Sequence, residues 1–461
     1  MRKGDLEMKA IVLSSFVFAA GLSFGAAPSV SGVHLAKSAG SGYEITYALA
    51  DGPAVVTLDI ETRASAEAEW KSVGSSFGIA TGDVSRVVSV ENGFIAWFPA
   101  NGFGDATARR VQIRAKVVAW PLDNPPDYMV VSLAATDPQR CTYYEREDLL
   151  PHGGVLSNMM YRTTHLPMRK IIAKDVTWTM GSTNETISFI SGSNESIQYA
   201  PDGSQDPHSV TLDANYYIAV FETTQAQSEL AYGTTTHKWT VEGVMRPSDG
   251  EISYNKLRGT TDATLDTPEP TEGSTIGKFR ARTGVDFDLP TEAQWEFACR
   301  AGHGHGYWPD GTPMVLADYS AATAFKAPQF DAFGRYVHNG GATPSGDSAT
   351  EYGGSVGPTN ATAIAGSFIP NDWGLYDMCG NMTEWCRDWY KADITGLNGA
   401  LVATREQGGS NSRVIRGGSF RGNGRICRPG ARSSTDATHG STYDWVWGRA
   451  GFRLMAPCIA K

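Results

Sequence analysis

The stretch Gly374-Leu-Tyr-Asp-Met-Cys-Gly-Asn-Met-Thr-Glu-Trp-Cys-Arg-Asp-Trp-Tyr390 decides the fold of this chain. Aromatic and oxygen-bearing side chains are interleaved along it, and two glycines interrupt any helical pattern, so its first half is predicted to be a sharply bent loop. Carboxylates, amides and free carbonyl groups on a bent segment are the ligands that calcium prefers. The oxygen-bearing residues are Asp377, Asn381, Glu384 and Asp388. The alternative interpretation is that these acids are solvated and that the aromatic residues fill a core.

Length and charge narrow the class of protein. The chain has 461 residues, of which 41% are hydrophobic and 51 are glycine, and this composition is typical of a loop-rich globular protein with two or three domains. Its formal net charge is −10 and it contains no long basic run. Because such a surface repels phosphate, we expect no nucleic-acid partner.

The first 27 residues have the pattern of a signal peptide. Arg2, Lys3 and Lys9 precede an apolar run at residues 10–24, and small residues follow at 25–27. The alternatives are a buried N-terminal helix or a retained anchor. No other stretch is apolar enough to cross a bilayer, so we expect an exported protein that is periplasmic, cell-surface or extracellular and has no transmembrane segment after signal removal.

The remaining chain divides into three parts. Residues 28–136 contain about seven short segments with period-two polarity, which predict an all-β sandwich of immunoglobulin or fibronectin type III kind. Residues 137–168 lack sustained periodicity and are interpreted as a linker. Residues 169–461 form the second domain.

Two helices are predicted in the second domain from their capping residues. Residues 271–284 have the pattern of a short helix that ends at a glycine. Thr291 is placed as the N-cap of the next helix, with Gln294 as its capping-box partner and Gly302 after its end. The spacing of apolar residues turns Cys299 inward on this helix.

Five motifs give the second domain a resemblance to a known family, the formylglycine-generating enzyme or sulfatase-modifying factor family. The resemblance implies an α+β domain with little regular secondary structure and a C-type-lectin-like fold, and it does not cover the sandwich. The motifs are Met180-Gly-Ser182; Tyr216-Tyr-Ile with Glu222-Thr-Thr224; Leu289-Pro-Thr-Glu-Ala-Gln-Trp-Glu-Phe-Ala-Cys-Arg-Ala-Gly302; Gly374-Leu-Tyr-Asp-Met-Cys-Gly-Asn-Met-Thr-Glu-Trp385; and Arg416-Gly-Gly-Ser-Phe420 with Ala431-Arg-Ser433 and Gly451-Phe-Arg-Leu454.

The resemblance also implies a structural calcium site on the opening stretch. The implied ligands are the side chains of Asp377 and Glu384 and the carbonyl groups of Gly380 and Met382. For another calcium site of the family, Asp318 and Tyr319 match and the other half has no clear counterpart.

The chemistry of the family depends on two cysteines, separated by four residues, that bind copper after the Gly-Gly-Ser motif. Here Gly422 occupies the first position and Cys427 is the one cysteine in the segment. Because one thiolate cannot form a two-coordinate copper site, copper is not expected. Cys427 is the remaining catalytic candidate, and the resemblance implies instead a structural Cys299–Cys427 disulfide. From the residues alone, six cysteines allow fifteen complete pairings.

Two functions are compatible with the sequence. The first is an exported, non-catalytic family member that acts as a binding or interaction module for a protein or glycan ligand. The alternative is an active oxidase that converts a sulfatase cysteine to formylglycine or oxidises another substrate. Candidate groups for that alternative are Arg416, Ser419, Arg421, Arg432 and Trp445 or Trp447, each of which also has an interpretation as a salt-bridge or core residue.

Overall fold

The structure is a computed structural model. It describes residues 26–100, 112–134, 139–181, 188–189, 207–233, 243–248, 252–259, 269–304, 308–313, 315–316, 328–336, 339, 362–403, 411–420, 422, 424, 426–438 and 450–460. Most of the predicted signal peptide lies outside the described residues. So do Asp318, Tyr319, Arg421, Trp445 and Trp447.

The N-terminal unit is a sandwich of two antiparallel sheets. One sheet has the strand order β1-β2-β7-β5, and in the other β3 pairs with β8, β4 and β6. Alternate residues of β2, β3 and β7 point inward and form one core, as the period-two pattern predicted. The strands are β1 (Ser29–Lys37), β2 (Tyr43–Ala50), β3 (Ala54–Arg63), β4 (Lys71–Ser72), β5 (Ile79–Gly82), β6 (Arg86–Val88), β7 (Asn92–Phe98) and β8 (Gln112–Trp120).

The C-terminal unit contains most of the remaining strands in two larger sheets. A five-stranded sheet has the order β10-β9-β11-β15-β21, and a four-stranded sheet has the order β19-β18-β17-β20. The strands are β9 (Tyr128–Ser132), β10 (Cys141–Tyr144), β11 (His165–Ile171), β12 (Thr177–Met180), β13 (Ser188–Phe189), β14 (His208–Thr211), β15 (Tyr216–Ala219), β16 (Val315–Leu316), β17 (Thr383–Trp389), β18 (Ser412–Arg416), β19 (Arg432–Asp436), β20 (Ala450–Gly451) and β21 (Met455–Pro457).

The five-stranded sheet extends across the domain boundaries suggested by the sequence. Strand β9 lies within the segment assigned to the sandwich, and β10 lies within the segment interpreted as a linker, yet both join the sheet of the second unit. The linker segment is therefore part of a folded core. It also contacts the sandwich, because Arg146 reaches Asp59 at 3.0 Å and the Tyr143 amide donates to the Ser85 carbonyl at 2.9 Å.

Four α-helices are described, and the two that were predicted from caps are present. They are α1 (Gln225–Tyr232), α2 (Tyr254–Arg258), α3 (Thr275–Thr283) and α4 (Glu292–Arg300). Helix α3 ends at Gly284, whose φ of 74° is left-handed. Thr291 and Gln294 form the expected capping box of α4, and Cys299 is fully buried. The described chain is thus a mixed α/β protein with mostly strands and few helices.

No helix in the described ranges combines the length and apolar character needed to cross a bilayer.

Candidate functional site

The opening stretch folds as a bent loop that leads into a buried strand. Asp377 and Asn381 have φ values of 56° and 61°, and Gly374 and Gly380 have values of 78° and 87°. Left-handed residues at four positions reverse the chain repeatedly, which confirms the predicted bend. Strand β17 then begins and buries Trp385 and Trp389.

Arg453 lies at the centre of a group of three buried carboxylates. Its Nη2 donates to Glu384 Oε1 at 2.8 Å and to the Tyr376 carbonyl at 2.8 Å. Its Nη1 donates to the carbonyl groups of Ala219 and Val220. We call Glu222, Asp377, Glu384 and Arg453 the carboxylate cluster. One guanidinium faces three acids, so the cluster carries excess negative charge when all three are ionised.

Glu222 is a member of the cluster that sequence analysis did not place there. Its carboxylate accepts from Asn381 Nδ2 at 2.6 Å and from the Met382 amide at 2.8 Å. Burial, together with the charges of Asp377 and Glu384, raises the pKa of Glu222 well above its usual value. The Glu222-Thr-Thr224 motif was the available signal, but nothing in the sequence joins it to a loop 159 residues away.

One carboxylate oxygen of Asp377 accepts a hydrogen bond, and the other has no donor. Its Oδ2 accepts from the Gly366 amide at 2.7 Å, whereas Oδ1 is buried and has no hydrogen-bond partner. Burial raises the pKa of Asp377 to about 6. A buried acceptor without a donor is costly, and a cation is one way to satisfy it.

The Glu384 carboxylate contacts the Arg453 guanidinium, and both of its oxygens accept hydrogen bonds. Besides Arg453, its carboxylate accepts a hydrogen bond from Trp295 Nε1 at 2.7 Å.

Asp388 lies outside the carboxylate cluster. Its carboxylate accepts hydrogen bonds from the backbone amides of Glu292 and Val402 at 2.6 and 3.0 Å. Burial and the charge of Glu292 raise the pKa of Asp388 to about 6.

The other two predicted calcium ligands lie on the same bend. The Gly380 amide donates to the Gly417 carbonyl at 2.7 Å, and Met382 is fully buried beside Phe420. Within the described part of the chain, no group of three or more His, Cys, Asp or Glu side chains is arranged to hold a metal ion. A calcium site here would therefore depend on carbonyl groups as well as side chains.

The segment after the Gly-Gly-Ser motif is tightly packed at the position of the absent cysteine. A Cβ atom added at Gly422 would overlap Cδ1 of Ile426. Cys427 is fully buried, and its Sγ lies 4.0 Å from the Ser419 carbonyl oxygen. A second thiol at Gly422 would need Ile426 to move.

The implied Cys299–Cys427 disulfide is not formed, and no disulfide joins any two of the six cysteines, all of which lie in the described ranges. Cys299 on the inner face of α4 instead points toward the bent loop, where its Sγ lies 3.7 Å from Cys379 Sγ. That separation is well above the length of about 2.05 Å for a disulfide bond. Burial raises the pKa of Cys379 well above its usual value, so its thiol stays protonated.

The described arginine candidates of the oxidase alternative are engaged in ion pairs. Arg416 donates to Glu296 and to the Ala431 carbonyl. Arg432 binds Glu292 in a bidentate manner at 2.7 and 2.8 Å. These ion pairs join α4 to strands β18 and β19, so both arginines fit their interpretation as salt-bridge residues. Ser419, another candidate of the oxidase alternative, is buried.

Comparisons with known proteins agree with the resemblance. Residues 175–456 match the sequence profile of the sulfatase-modifying factor enzyme 1-like domain. The chain is 31% identical over 170 residues to the formylglycine-generating enzyme of Thermomonospora curvata, covering 36% of this chain and 48% of that protein. It is 33% identical over 137 residues to the inactive C-alpha-formylglycine-generating enzyme 2 of Bos taurus, covering 27% of this chain and 36% of that protein. The chain thus spans about half or less of the length of these relatives.

One solved structure also aligns with the chain. PvdO from Pseudomonas aeruginosa has a TM-score of 0.41 and 19% sequence identity, and the alignment covers 63% of this chain and 94% of that one. The profile match covers more than half of the chain, and the β-rich N-terminal unit lies outside it. The chain therefore belongs to the sulfatase-modifying factor family, as its similarity to formylglycine-generating enzymes also indicates.

Proposed function

We propose that this chain is an exported, non-catalytic member of its family and that it acts as a binding or interaction module. The observation that carries the proposal is the segment from Gly422 to Cys427. It offers one thiol where a copper-dependent oxidase needs two, and Ile426 fills the space of the second.

The surrounding residues support the same proposal. Arg416 and Arg432 are held by Glu296 and Glu292, so neither is free to bind a substrate. The signal-peptide pattern at residues 1–27 and the added sandwich fit an exported protein in which the sandwich is an accessory unit. The ligand would be a protein or a glycan.

An aldehyde assay tests the absence of catalysis. The purified chain is incubated with copper and a sulfatase-type Cys-x-Pro-x-Arg peptide, and the peptide mass is measured. We expect no aldehyde, while the Thermomonospora curvata relative serves as the positive control. Aldehyde that forms with this chain and disappears in Cys427→Ser would establish the oxidase alternative.

We also propose that the bent loop binds calcium through Asp377, Glu384 and the carbonyl groups of Gly380 and Met382. The unpartnered Oδ1 of Asp377 and the excess of carboxylates around Arg453 support this. Glu384 would bind the ion in exchange for one of its present contacts with Arg453 or Trp295. Calcium would offset charge and fix the loop, and it would take no part in chemistry.

Removal and return of calcium tests this site. After treatment with a chelator, we expect a lower melting temperature that calcium restores and a stoichiometric calcium signal by isothermal titration calorimetry. Asp377→Asn should abolish the signal, whereas Asp393→Asn, at an exposed site, should not. A chain that folds identically with and without chelator and gives no calcium signal would refute the site.

A further inference from the structure

Two cysteine side chains meet where helix α4 packs against the bent loop. Cys299 lies in the last turn of α4, and Cys379 lies in the bend immediately before Gly380. Their Sγ atoms are 3.7 Å apart, and both side chains are buried. Cys299 Sγ also lies 3.8 Å from the Met378 carbonyl oxygen. The two thiols are therefore in direct contact, although 80 positions separate them in the chain.

Hydrogen bonds that do not involve sulfur hold the backbone beside this contact. Asn371 Nδ2 donates to the carbonyl groups of Ala298 and Cys299 at 2.8 and 3.2 Å. Asn371 Oδ1 accepts a hydrogen bond from the Leu375 amide at 3.0 Å, so this one side chain joins the end of α4 to the start of the bent loop. The approach of the two cysteines is thus set by the fold and does not depend on a bond between them.

A disulfide between these cysteines needs only a small change in side-chain position. A disulfide bond is about 2.05 Å long, so the 3.7 Å separation of the two Sγ atoms has to shorten by about 1.6 Å. Rotation about the Cα–Cβ bond moves a sulfur atom by a comparable distance. The backbone of α4 and of the bent loop can therefore stay in place.

Cys427 is the partner of Cys299 that the family resemblance implies, but the observed contact favours Cys379. Cys427 Sγ lies beside the Gly-Gly-Ser motif, at 4.0 Å from the Ser419 carbonyl oxygen. A Cβ atom added at Gly418 would come within 2.7 Å of the same sulfur. The thiol that Cys299 contacts belongs instead to the bent loop.

The surroundings of the two thiols decide when they can be oxidised. Burial raises the pKa of Cys379 well above its usual value, and the hydrogen bond with Cys299 raises it further. Because the thiolate is the nucleophile in disulfide exchange, these thiols react slowly in the folded chain. Oxidation therefore belongs to folding, before α4 and the bent loop close over the sulfur atoms.

We propose that Cys299 and Cys379 form a disulfide when the chain folds in an oxidising compartment, and that this bond fixes the bent loop to α4. The oxidant is an external disulfide, such as oxidised glutathione or the disulfide of an exchange protein. One cysteine thiolate attacks it and releases one thiol, and the second thiolate attacks the mixed disulfide and releases the other. The two cysteines lose two electrons and two protons, and the external disulfide is reduced to two thiols.

The occurrence of this bond in the cell rests on the export proposed above. Refolding in a glutathione buffer tests the pairing without export, so the two proposals can fail separately. The reduced, unfolded chain is refolded with reduced and oxidised glutathione, and the remaining thiols are blocked with N-ethylmaleimide in denaturant.

A peptide map under non-reducing conditions then identifies the pairing. Digestion uses trypsin and Glu-C, because cleavage after Glu384 separates Cys379 from Cys386. By mass spectrometry we expect a peptide pair that contains Cys299 and Cys379 and that disappears on reduction. In Cys299→Ala, Cys379 should be found blocked by N-ethylmaleimide. Cys386→Ala, at a buried cysteine of β17, is the matched control and should keep the peptide pair.

Thermal unfolding measures what the bond contributes. The oxidised wild type should melt about 5 °C or more above the reduced wild type, because the bond joins positions 80 apart and so restricts the unfolded chain. Cys299→Ala should abolish this difference, and Cys386→Ala should retain it. Equal melting temperatures of the oxidised and reduced wild type would refute the stabilising role.

Blocking of both Cys299 and Cys379 in the refolded wild type would overturn the proposal. A peptide pair that joins either cysteine to another partner, Cys427 above all, would do the same. Near-ultraviolet circular dichroism confirms that the mapped sample is folded. If refolding gives too little folded protein, the chain is expressed in the bacterial periplasm and mapped in the same way.

Discussion

Several buried charged residues of the second unit lie in matched groups, and the mismatches mark the sites of interest. Arg453 uses its three nitrogens on one carboxylate and three carbonyl groups, so its desolvation is compensated. Asp377 keeps one oxygen without a donor, and the buried Nε of Arg162 has no acceptor. Asp377 anchors the 362–370 loop through the Gly366 amide, and Arg162 contacts the same loop at the Ala365 carbonyl.

Asp388→Asn is predicted to change stability in a pH-dependent way. The fold raises the pKa of Asp388 from 3.8 to about 6. The protonated carboxyl therefore adds its full share to the free energy of unfolding below the unfolded pKa, and this share is lost as the pH rises through about 6. Asparagine cannot ionise. The free energy of unfolding of the variant relative to wild type should therefore rise by about 2 kcal/mol between pH 4 and pH 7.

Urea unfolding at several pH values measures this change. Asp393→Asn is a control for which the pH dependence of the stability difference should have the opposite sign, because the Thr395 hydroxyl lowers the pKa of that exposed carboxyl. A difference between Asp388→Asn and wild type that stays constant with pH would show that the carboxyl ionises normally in the fold.

The residues of the cluster show what a sequence can and cannot reveal at this scale. Asp377 and Glu384 are seven positions apart on one stretch, and the family resemblance singled them out among its four oxygen-bearing residues. Glu222 and Arg453 come from distant segments, 160 residues before Met382 and 69 residues after Glu384. Only folding brings such residues together, and no local pattern encodes their distance.

Helix α4 connects the family motif to the rest of the second unit. Its inner face carries Trp295 and Cys299, and its acids bind Arg416 and Arg432 across two strands. Its start was predictable because a capping box depends on residues three apart. The sheet that contains β9, β10 and β11 was not predictable, because it pairs strands from both ends of the described second unit.

Thr291→Ala is predicted to destabilise the protein by about 1 kcal/mol, because the N-cap hydroxyl accepts from the Gln294 amide. Chemical denaturation gives the difference. Thr291→Ser keeps the hydroxyl and should stay within a few tenths of a kcal/mol of wild type. Equal loss in both variants would mean that the threonine methyl group, not the cap, supplies the stability.

The whole molecule is held together by polar contacts between its two units as well as by each core. The Thr57 hydroxyl donates to Glu145 at 2.7 Å, and Arg146 pairs with Asp59. Glu145 and Arg146 directly follow β10, so the segment interpreted as a linker is the surface on which the sandwich rests. A boundary judged from composition missed this because composition does not report strand pairing.

Two shortened chains test where the second unit begins. A chain that starts at Pro121 keeps β9 and is expected to unfold cooperatively, at a lower melting temperature than the full chain. A chain that starts at Asp137 lacks β9 and leaves β10 and β11 without their shared neighbour. We expect it to aggregate or to unfold without cooperativity. Similar calorimetric transitions for both would place the boundary at the linker after all.

Strand β21 has a consequence for the order in which the chain folds. It pairs with β15, and the Ala460 amide donates to the Leu122 carbonyl, so residues late in the chain complete a sheet begun early in it. Arg453, which neutralises Glu384, is 234 positions from the carbonyl of Ala219 that it binds. Contacts this distant make a high contact order and slow folding. During vectorial synthesis the sandwich can form first, while the second unit must wait, with its acids unneutralised, until the last strand emerges.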